Sequence, residues 1–136
     1  MNVNGINGLE KQKRVFTYFD SIYSDILILI DTRLRNAEKE NDFINQTNIY
    51  DIYSTYSTGI NTSRGVSILI NKALPIEIKK IHRDIKDNNY LMLETILYEK
   101  PLLLTGVYGP NTDKPQFIKQ IFDMEKATGI DLKINS

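Results

Sequence analysis

Five consecutive apolar residues, Ile26-Leu27-Ile28-Leu29-Ile30, run straight into a carboxylate, Asp31, and that junction limits what the chain can fold into more than any other stretch. A run this short, rich in β-branched residues and bounded by Asp25 and Asp31, predicts a strand buried on both faces. Burying Asp31 itself would be costly without a partner. Asp31 therefore belongs at the strand's carboxyl end, where α/β sheets open into the crevice that binds ligands. It is the leading candidate for a functional residue. The competing reading is that Asp31 only begins a polar turn.

The chain has 136 residues, of which 41% are hydrophobic, enough for one soluble domain with a core. Lysine plus arginine and aspartate plus glutamate each total 17, so no bulk basicity points to nucleic acid, and any such binding must come from a local patch. Cysteine is absent, which excludes disulfides, thiolate metal sites and cysteine nucleophiles. The single histidine, His82, leaves almost no material for a histidine-based triad or zinc site. No apolar run has the length of a membrane span and the N-terminus lacks a signal-peptide layout, so an intracellular, soluble location without membrane partners is expected.

Met1-Asn2-Val3-Asn4-Gly5-Ile6-Asn7-Gly8 reads as a loop, and Asn7 with Glu10 resembles a capping box. Val15, Phe16, Phe19, Ile22 and Tyr23 then recur at helical spacing, predicting a helix over 8–23. Its Lys11, Lys13 and Arg14 oppose the helix dipole unless an anion is near, and a solvated face is the preferred explanation. Charged Arg33 to Asp42 reads as a loop with a short helical turn. Ile49 to Tyr56 alternates as a half-exposed strand, and Ser57 to Gly65 is a loop rich in turn formers. Strands are predicted at Val66–Ile70 and Pro75–Ile81, then a hairpin of Tyr90–Leu97 and Leu102–Tyr108 turning at Glu99-Lys100-Pro101, so that this middle portion is an antiparallel meander. A second helix is predicted from the Asp113 cap, with Pro115 in its first turn, a core stripe of Phe117, Ile118, Ile121 and Phe122, and Gly129 as terminator. Residues 130–136 read as a tail without a clear period.

Strand ends meet polar, turn-forming residues at Asn2 with Asn4, at Asp31, and at Tyr108 with Asn111. Where these strands are neighbours, the three places share one edge. Asparagine, carboxylate and phenol are the donors that a hydrated magnesium ion and a phosphate use. Each also has a plainer role, since asparagines favour turns and tyrosines favour strands.

The order of these elements resembles the endonuclease/exonuclease/phosphatase superfamily, and most closely the apurinic-type endonuclease domain of LINE-like non-LTR retrotransposons. The residues that carry the resemblance are Asn2-Val3-Asn4-Gly5-Ile6-Asn7 before a basic helix, Ile28-Leu29-Ile30-Asp31-Thr32-Arg33-Leu34, Arg64-Gly65-Val66-Ser67-Ile68-Leu69, and Val107-Tyr108-Gly109-Pro110-Asn111-Thr112. It runs from Asn2 to about Glu125 and covers the N-terminal half of the family's domain. The resemblance implies a partial α/β (α+β) sandwich, with a mixed, largely antiparallel sheet and two flanking helices, over residues 1–126, followed by a tail over 127–136.

It also implies a phosphodiesterase that nicks DNA with Mg2+ or Mn2+ as cofactor and water as nucleophile. By that resemblance Asn2 lies near metal and phosphate, Asn4 and Arg64 beside the DNA, Asp31 at the metal-binding glutamate, and Tyr108 and Asn111 where the scissile phosphate is positioned. The departures carry expectations of their own. Asp31 is a methylene shorter than glutamate, while magnesium holds its ligands at about 2.0–2.1 Å with little tolerance. The family's Gly-Asp-Phe-Asn motif and final aspartate-histidine pair do not occur before Ser136, and Met1 stands where a first strand would end. Such a truncated domain is expected to expose an apolar face and strand edges, to self-associate or need its missing C-terminal half, and to be weakly active or inactive alone. The alternatives are a non-catalytic module holding the DNA backbone through Lys11, Lys13, Arg14, Arg33, Arg35 and Arg64, or a protein-interaction piece that adds a strand edge to a partner.

Overall fold

The computed structural model describes residues 1–22, 24–56, 64–85, 87–108 and 132–135, the last by backbone pairing. The apolar run forms β1 (Ile26–Ile30) as its sequence predicts, and the reason for its continuity is visible in what lies on each side. Leu27 and Leu29 face a layer of helices, while Ile28 and Ile30 face a second sheet. Neither face meets water, so neither tolerates a polar side chain.

Helix α1 (Leu9–Ile22) and helix α2 (Ala37–Ile44) make the outer layer. Phe16 and Phe19 of α1 and Phe43 of α2 pack on Leu27, Leu29, Ile52 and Leu69, with the Phe16 and Phe43 rings 5.1 Å apart. Buried Gln12 donates from Nε2 to the Ile6 carbonyl at 2.7 Å, tying α1 to the N-terminal segment. The region of α2 reads from sequence as a loop with a helical turn. It is an 8-residue helix because Asn36 caps it, accepting the Lys39 N–H at 2.9 Å, and Phe43 anchors it in the core.

The first sheet has the order β1-β3-β2, with β2 spanning Tyr50–Ser54 and β3 spanning Val66–Asn71. Both neighbours of β3 are antiparallel, Ile28 opposite Ile68 and Ile52 opposite Leu69. The free edge of β1 carries a short parallel bridge from Asn2 to Ile30, through Ile30 N–H to Met1 O at 2.7 Å and Val3 N–H to Ile30 O at 2.9 Å.

The second sheet has the order β4-β5-β6-β7, from Ile76–Arg83, Tyr90–Leu97, Lys100–Val107 and Leu132–Asn135. The meander expected from the sequence therefore holds only for β4, β5 and β6. β3 is the centre of the other sheet, because its Val66, Ile68 and Ile70 face across to Leu91, Leu93 and Leu104 rather than standing beside them. The β5–β6 loop is Tyr98-Glu99, shorter than expected, and Pro101 lies within β6 opposite Ile96. A proline is tolerated there because the pairing of β6 with β7 starts only at Leu103. Residues 132–135, expected as tail, pair parallel with Leu103–Gly106.

The result is an α/β sandwich, helices over one sheet and that sheet over the other. The apolar faces that meet between the two sheets are buried, and the large exposed hydrophobics among the described residues are Met1, Leu9, Tyr18, Ile22, Ile49, Ile85 and Tyr98. At Gly106 the two sheets come close, since a Cβ there would lie 2.4 Å from Val66 Cγ1 and 2.8 Å from Ile28 Cγ2. Among the described residues no helix is long and apolar enough to cross a membrane. The second helix expected from Asp113 lies outside the described residues.

Candidate functional site

Directly after β1 the backbone leaves the extended region: Asp31 has φ 64° and Arg33 has φ 54°. Left-handed backbone at a non-glycine residue is uncommon and stores strain, which persists only where the surroundings hold it in place. Here they do so from two sides. From the N-terminal segment, Gly5 N–H donates to Asp31 O at 2.7 Å and Ile6 N–H to Thr32 O at 2.8 Å. From the start of β3, Gly65 O accepts Asp31 N–H at 2.8 Å, and Arg64 O accepts Arg33 N–H at 2.7 Å. The Asn7 side chain donates to Arg33 O at 2.6 Å.

The same hydrogen bonds join further left-handed residues into one rim: Asn4 at φ 51°, Arg64 at 72° and Asn88 at 58°. Gly65, at φ 103°, is its crossing point, donating to Asn88 O at 2.9 Å while accepting from Asp31 and Thr32. Its missing side chain is needed, because a Cβ would sit 2.6 Å from Thr32 Oγ1 and 3.1 Å from Arg33 N. The Thr32 hydroxyl beneath it is buried and has no hydrogen-bond partner among the described residues.

The Asp31 carboxylate is buried at 4% side-chain exposure, and its partner is Arg33, whose side chain is 44% exposed. Nε donates to Oδ1 at 2.8 Å and Nη2 to Oδ2 at 2.9 Å, a bidentate fork. The hydrogen bond to Asp31, followed by its charge, raises the Arg33 pKa above its ordinary value, and the Tyr108 phenol adds to the raise.

The remaining sequence candidates divide. Asn2 lies opposite Ile30, and its Oδ1 accepts the Asn4 N–H at 3.1 Å. Exposed Asn4 also receives Lys11, whose Nζ donates to Asn4 O at 3.0 Å, so a cation does reach this edge. Half-buried Tyr108 donates its N–H to Asn89 O at 2.7 Å. Arg64 turns away from Asp31, with Nη1 donating to Asn89 Oδ1 at 3.1 Å and Asp87 O at 3.3 Å. Asn111 lies outside the described residues.

Two contributions escape a reading of the sequence. Arg33 belongs there to a general basic set, although its place two residues after a buried carboxylate was the available signal. Asn88 and Asn89 read as an ordinary turn, yet both are buried and their carbonyls carry the rim. His82 bonds Glu94 at 2.6 Å across β4 and β5, a separate pair.

Magnesium prefers oxygen donors and keeps several waters, needing only one or two protein carboxylates. The Asp31 carboxylate and the Asn2 amide oxygen are donors of that kind, although Arg33 holds both Asp31 oxygens and Asn2 Oδ1 accepts the Asn4 N–H. No group of three histidine, aspartate or glutamate side chains gathers among the described residues, so these donors fit a thinly held, hydrated ion and not a closed cage.

No protein-family model matches the chain. Solved structures match its fold. An AP endonuclease from Archaeoglobus fulgidus is 18% identical with a TM-score of 0.62, over 96% of this chain and 50% of its own. An endonuclease/exonuclease/phosphatase family protein from Bacteroides thetaiotaomicron is 12% identical with a TM-score of 0.62, over 94% of this chain and 52% of its own. D. rerio TDP2 complexed with a single-strand DNA product is 15% identical with a TM-score of 0.61, over 94% of this chain and 52% of its own. This chain spans about half the length of these proteins, and the likeness is one of fold.

Proposed function

We propose that this chain is a phosphodiesterase-like domain of the DNA-endonuclease kind, related to those of LINE-like retrotransposons, that acts on the phosphate backbone of DNA. The observation that supports it most is the strained rim at Asp31, which joins Asn2, Asn4, Asp31, Arg33, Arg64 and Tyr108 through one hydrogen-bonded network. The fold shared with an AP endonuclease and with a DNA-bound TDP2 supports the substrate class.

In this reading Asp31 and Asn2 hold a hydrated Mg2+ or Mn2+. Such an ion, when bound, supplies electrostatic stabilisation of the charge that develops on a phosphate. Tyr108 and Asn111 position the scissile phosphate, and the Asn2 and Asn4 side-chain amides donate to its oxygens. Arg64 holds the Asp87–Asn89 turn that carries Tyr108, and meets DNA only by leaving that turn. His82 bonds Glu94 across β4 and β5 and no residue of the rim, and in this reading turnover by this chain alone is weak or absent.

The bidentate Arg33–Asp31 pair supports a second reading, a module that binds the DNA backbone without cutting it. Nicking of supercoiled plasmid by the 136-residue chain with Mg2+ or Mn2+, beside EDTA and Asp31→Ala controls, separates the two. Metal-dependent nicking that disappears in Asp31→Ala establishes the enzyme. Absence of nicking, with oligonucleotide binding that weakens steeply as salt rises, establishes the backbone-binding module.

A further inference from the structure

The Arg33–Asp31 fork is asymmetric in exposure, unlike the other ion pairs among the described residues. The carboxylate is 4% exposed while the guanidinium side chain is 44% exposed, so the cation faces solvent and covers the anion. The backbone beneath cannot shift, because Arg33 N–H, Arg33 O and Asp31 N–H are all bonded to neighbouring segments. Only the arginine side chain is free to leave. A guanidinium fork fits a phosphodiester as well as it fits a carboxylate.

We propose that Arg33 is a phosphate-exchangeable cover on Asp31. Without nucleic acid the guanidinium occupies both carboxylate oxygens and keeps a divalent cation off them. A DNA phosphodiester arriving at the rim takes the guanidinium in Asp31's place, and the uncovered carboxylate then accepts the cation. Phosphate and metal consequently bind with positive coupling, and by linkage each raises the affinity of the other by the same factor. Arg33 is a positioning residue that acts through Asp31, and it also selects for an anionic ligand of this geometry. Lys11, held at Asn4 O, supplies a second positive charge along the same edge for the next phosphate of the strand. The inference rests on the metal-site reading above and adds to it an order of events.

The test measures Mn2+ binding to the full chain through the electron paramagnetic resonance signal of the free ion. It is run with and without a short single-stranded oligonucleotide, taking the oligonucleotide alone as the blank, for the wild type, Arg33→Gln and Arg33→Lys. Circular dichroism confirms that each variant folds. The cover predicts that Arg33→Gln binds Mn2+ about tenfold more tightly than the wild type without DNA, a coupling of ordinary size. It predicts that the oligonucleotide tightens Mn2+ in the wild type and that this gain is largely lost in Arg33→Gln. Arg33→Lys, which keeps the charge without the fork, falls between the two. Equal Mn2+ affinity in wild type and Arg33→Gln, or an oligonucleotide effect that persists undiminished in Arg33→Gln, overturns the cover while leaving the metal site standing. No Mn2+ binding to any of the three proteins, with or without DNA, overturns the metal-site reading and the cover with it.

Discussion

The Arg33 guanidinium lies across the Asp31 carboxylate, Nε at 2.8 Å from one oxygen and Nη2 at 2.9 Å from the other, within a turn whose two ends both have left-handed backbone. Neither residue makes this arrangement alone. The carboxylate cannot stay buried without the cation, and the cation is aimed by a backbone that two hydrogen-bonded segments hold.

This interdependence is measurable as a double-mutant cycle. Arg33→Gln leaves a buried carboxylate without its charged partner and lowers stability, whereas Asp31→Asn in the Arg33→Gln background removes that carboxylate and restores part of the loss. Urea unfolding of the four proteins is expected to show a clearly non-additive sum. Strict additivity refutes the pairing.

Contact between the two sheets at Gly106 predicts a steric result. In Gly106→Ala the new methyl would meet Val66 Cγ1 at 2.4 Å and Ile28 Cγ2 at 2.8 Å, both branched side chains in the packed core. The expected loss is about 1–3 kcal/mol by urea denaturation. A neutral effect shows that the sheets separate more easily than their packing indicates.

The β5–β6 hairpin turns on Tyr98 at φ 49° and Glu99 at φ 67°, a pair of left-handed positions occupied by residues that disfavour them. Such a two-residue turn prefers Asn-Gly. Replacing Tyr98-Glu99 by Asn-Gly is therefore expected to stabilise the chain by about 1 kcal/mol, read as a raised midpoint in the same denaturation experiment. An unchanged or lowered midpoint refutes the turn assignment.

Glu40, in the first turn of α2, has its carboxyl pKa raised by burial, an effect that Arg83 partly opposes. A carboxyl whose folded-state pKa lies above its unfolded value lends stability that is complete below the unfolded value and is lost as pH rises through the folded one. Glu40→Gln removes that dependence. The variant is expected to gain on the wild type as pH rises from about 4 towards neutrality, from the ordinary glutamate pKa of about 4.3 upwards, and a stability difference that does not change with pH refutes the shift.

Much of this protein is legible along the chain because it depends on local pattern. Buried β1 is visible as an unbroken apolar run, and β5 as Tyr90–Leu97, since a strand covered on both faces has no choice of composition. α1 is visible in the spacing of Phe16 and Phe19, which reach the core with Val15 packed beside them. The position of Asp31 at the mouth of β1 follows from the cost of burying charge. α2 was harder, because a short charged helix depends on one cap at Asn36 and one anchor at Phe43.

Only the tertiary structure decides which sheet each strand joins and what covers Asp31. β3 and β4 are neighbours in sequence and read as one meander, but whether apolar faces stand side by side or face each other depends on contacts between Ile68 and residues more than twenty positions away, such as Leu93. The partner of Asp31 depends likewise on positive φ at Asp31 and Arg33, which no residue preference announces and which exists because Gly5, Arg64 and Gly65 arrive from elsewhere in the chain to bond that turn. Periodicity and the cost of buried charge are local and legible in the sequence, whereas strain and pairing belong to the assembled fold.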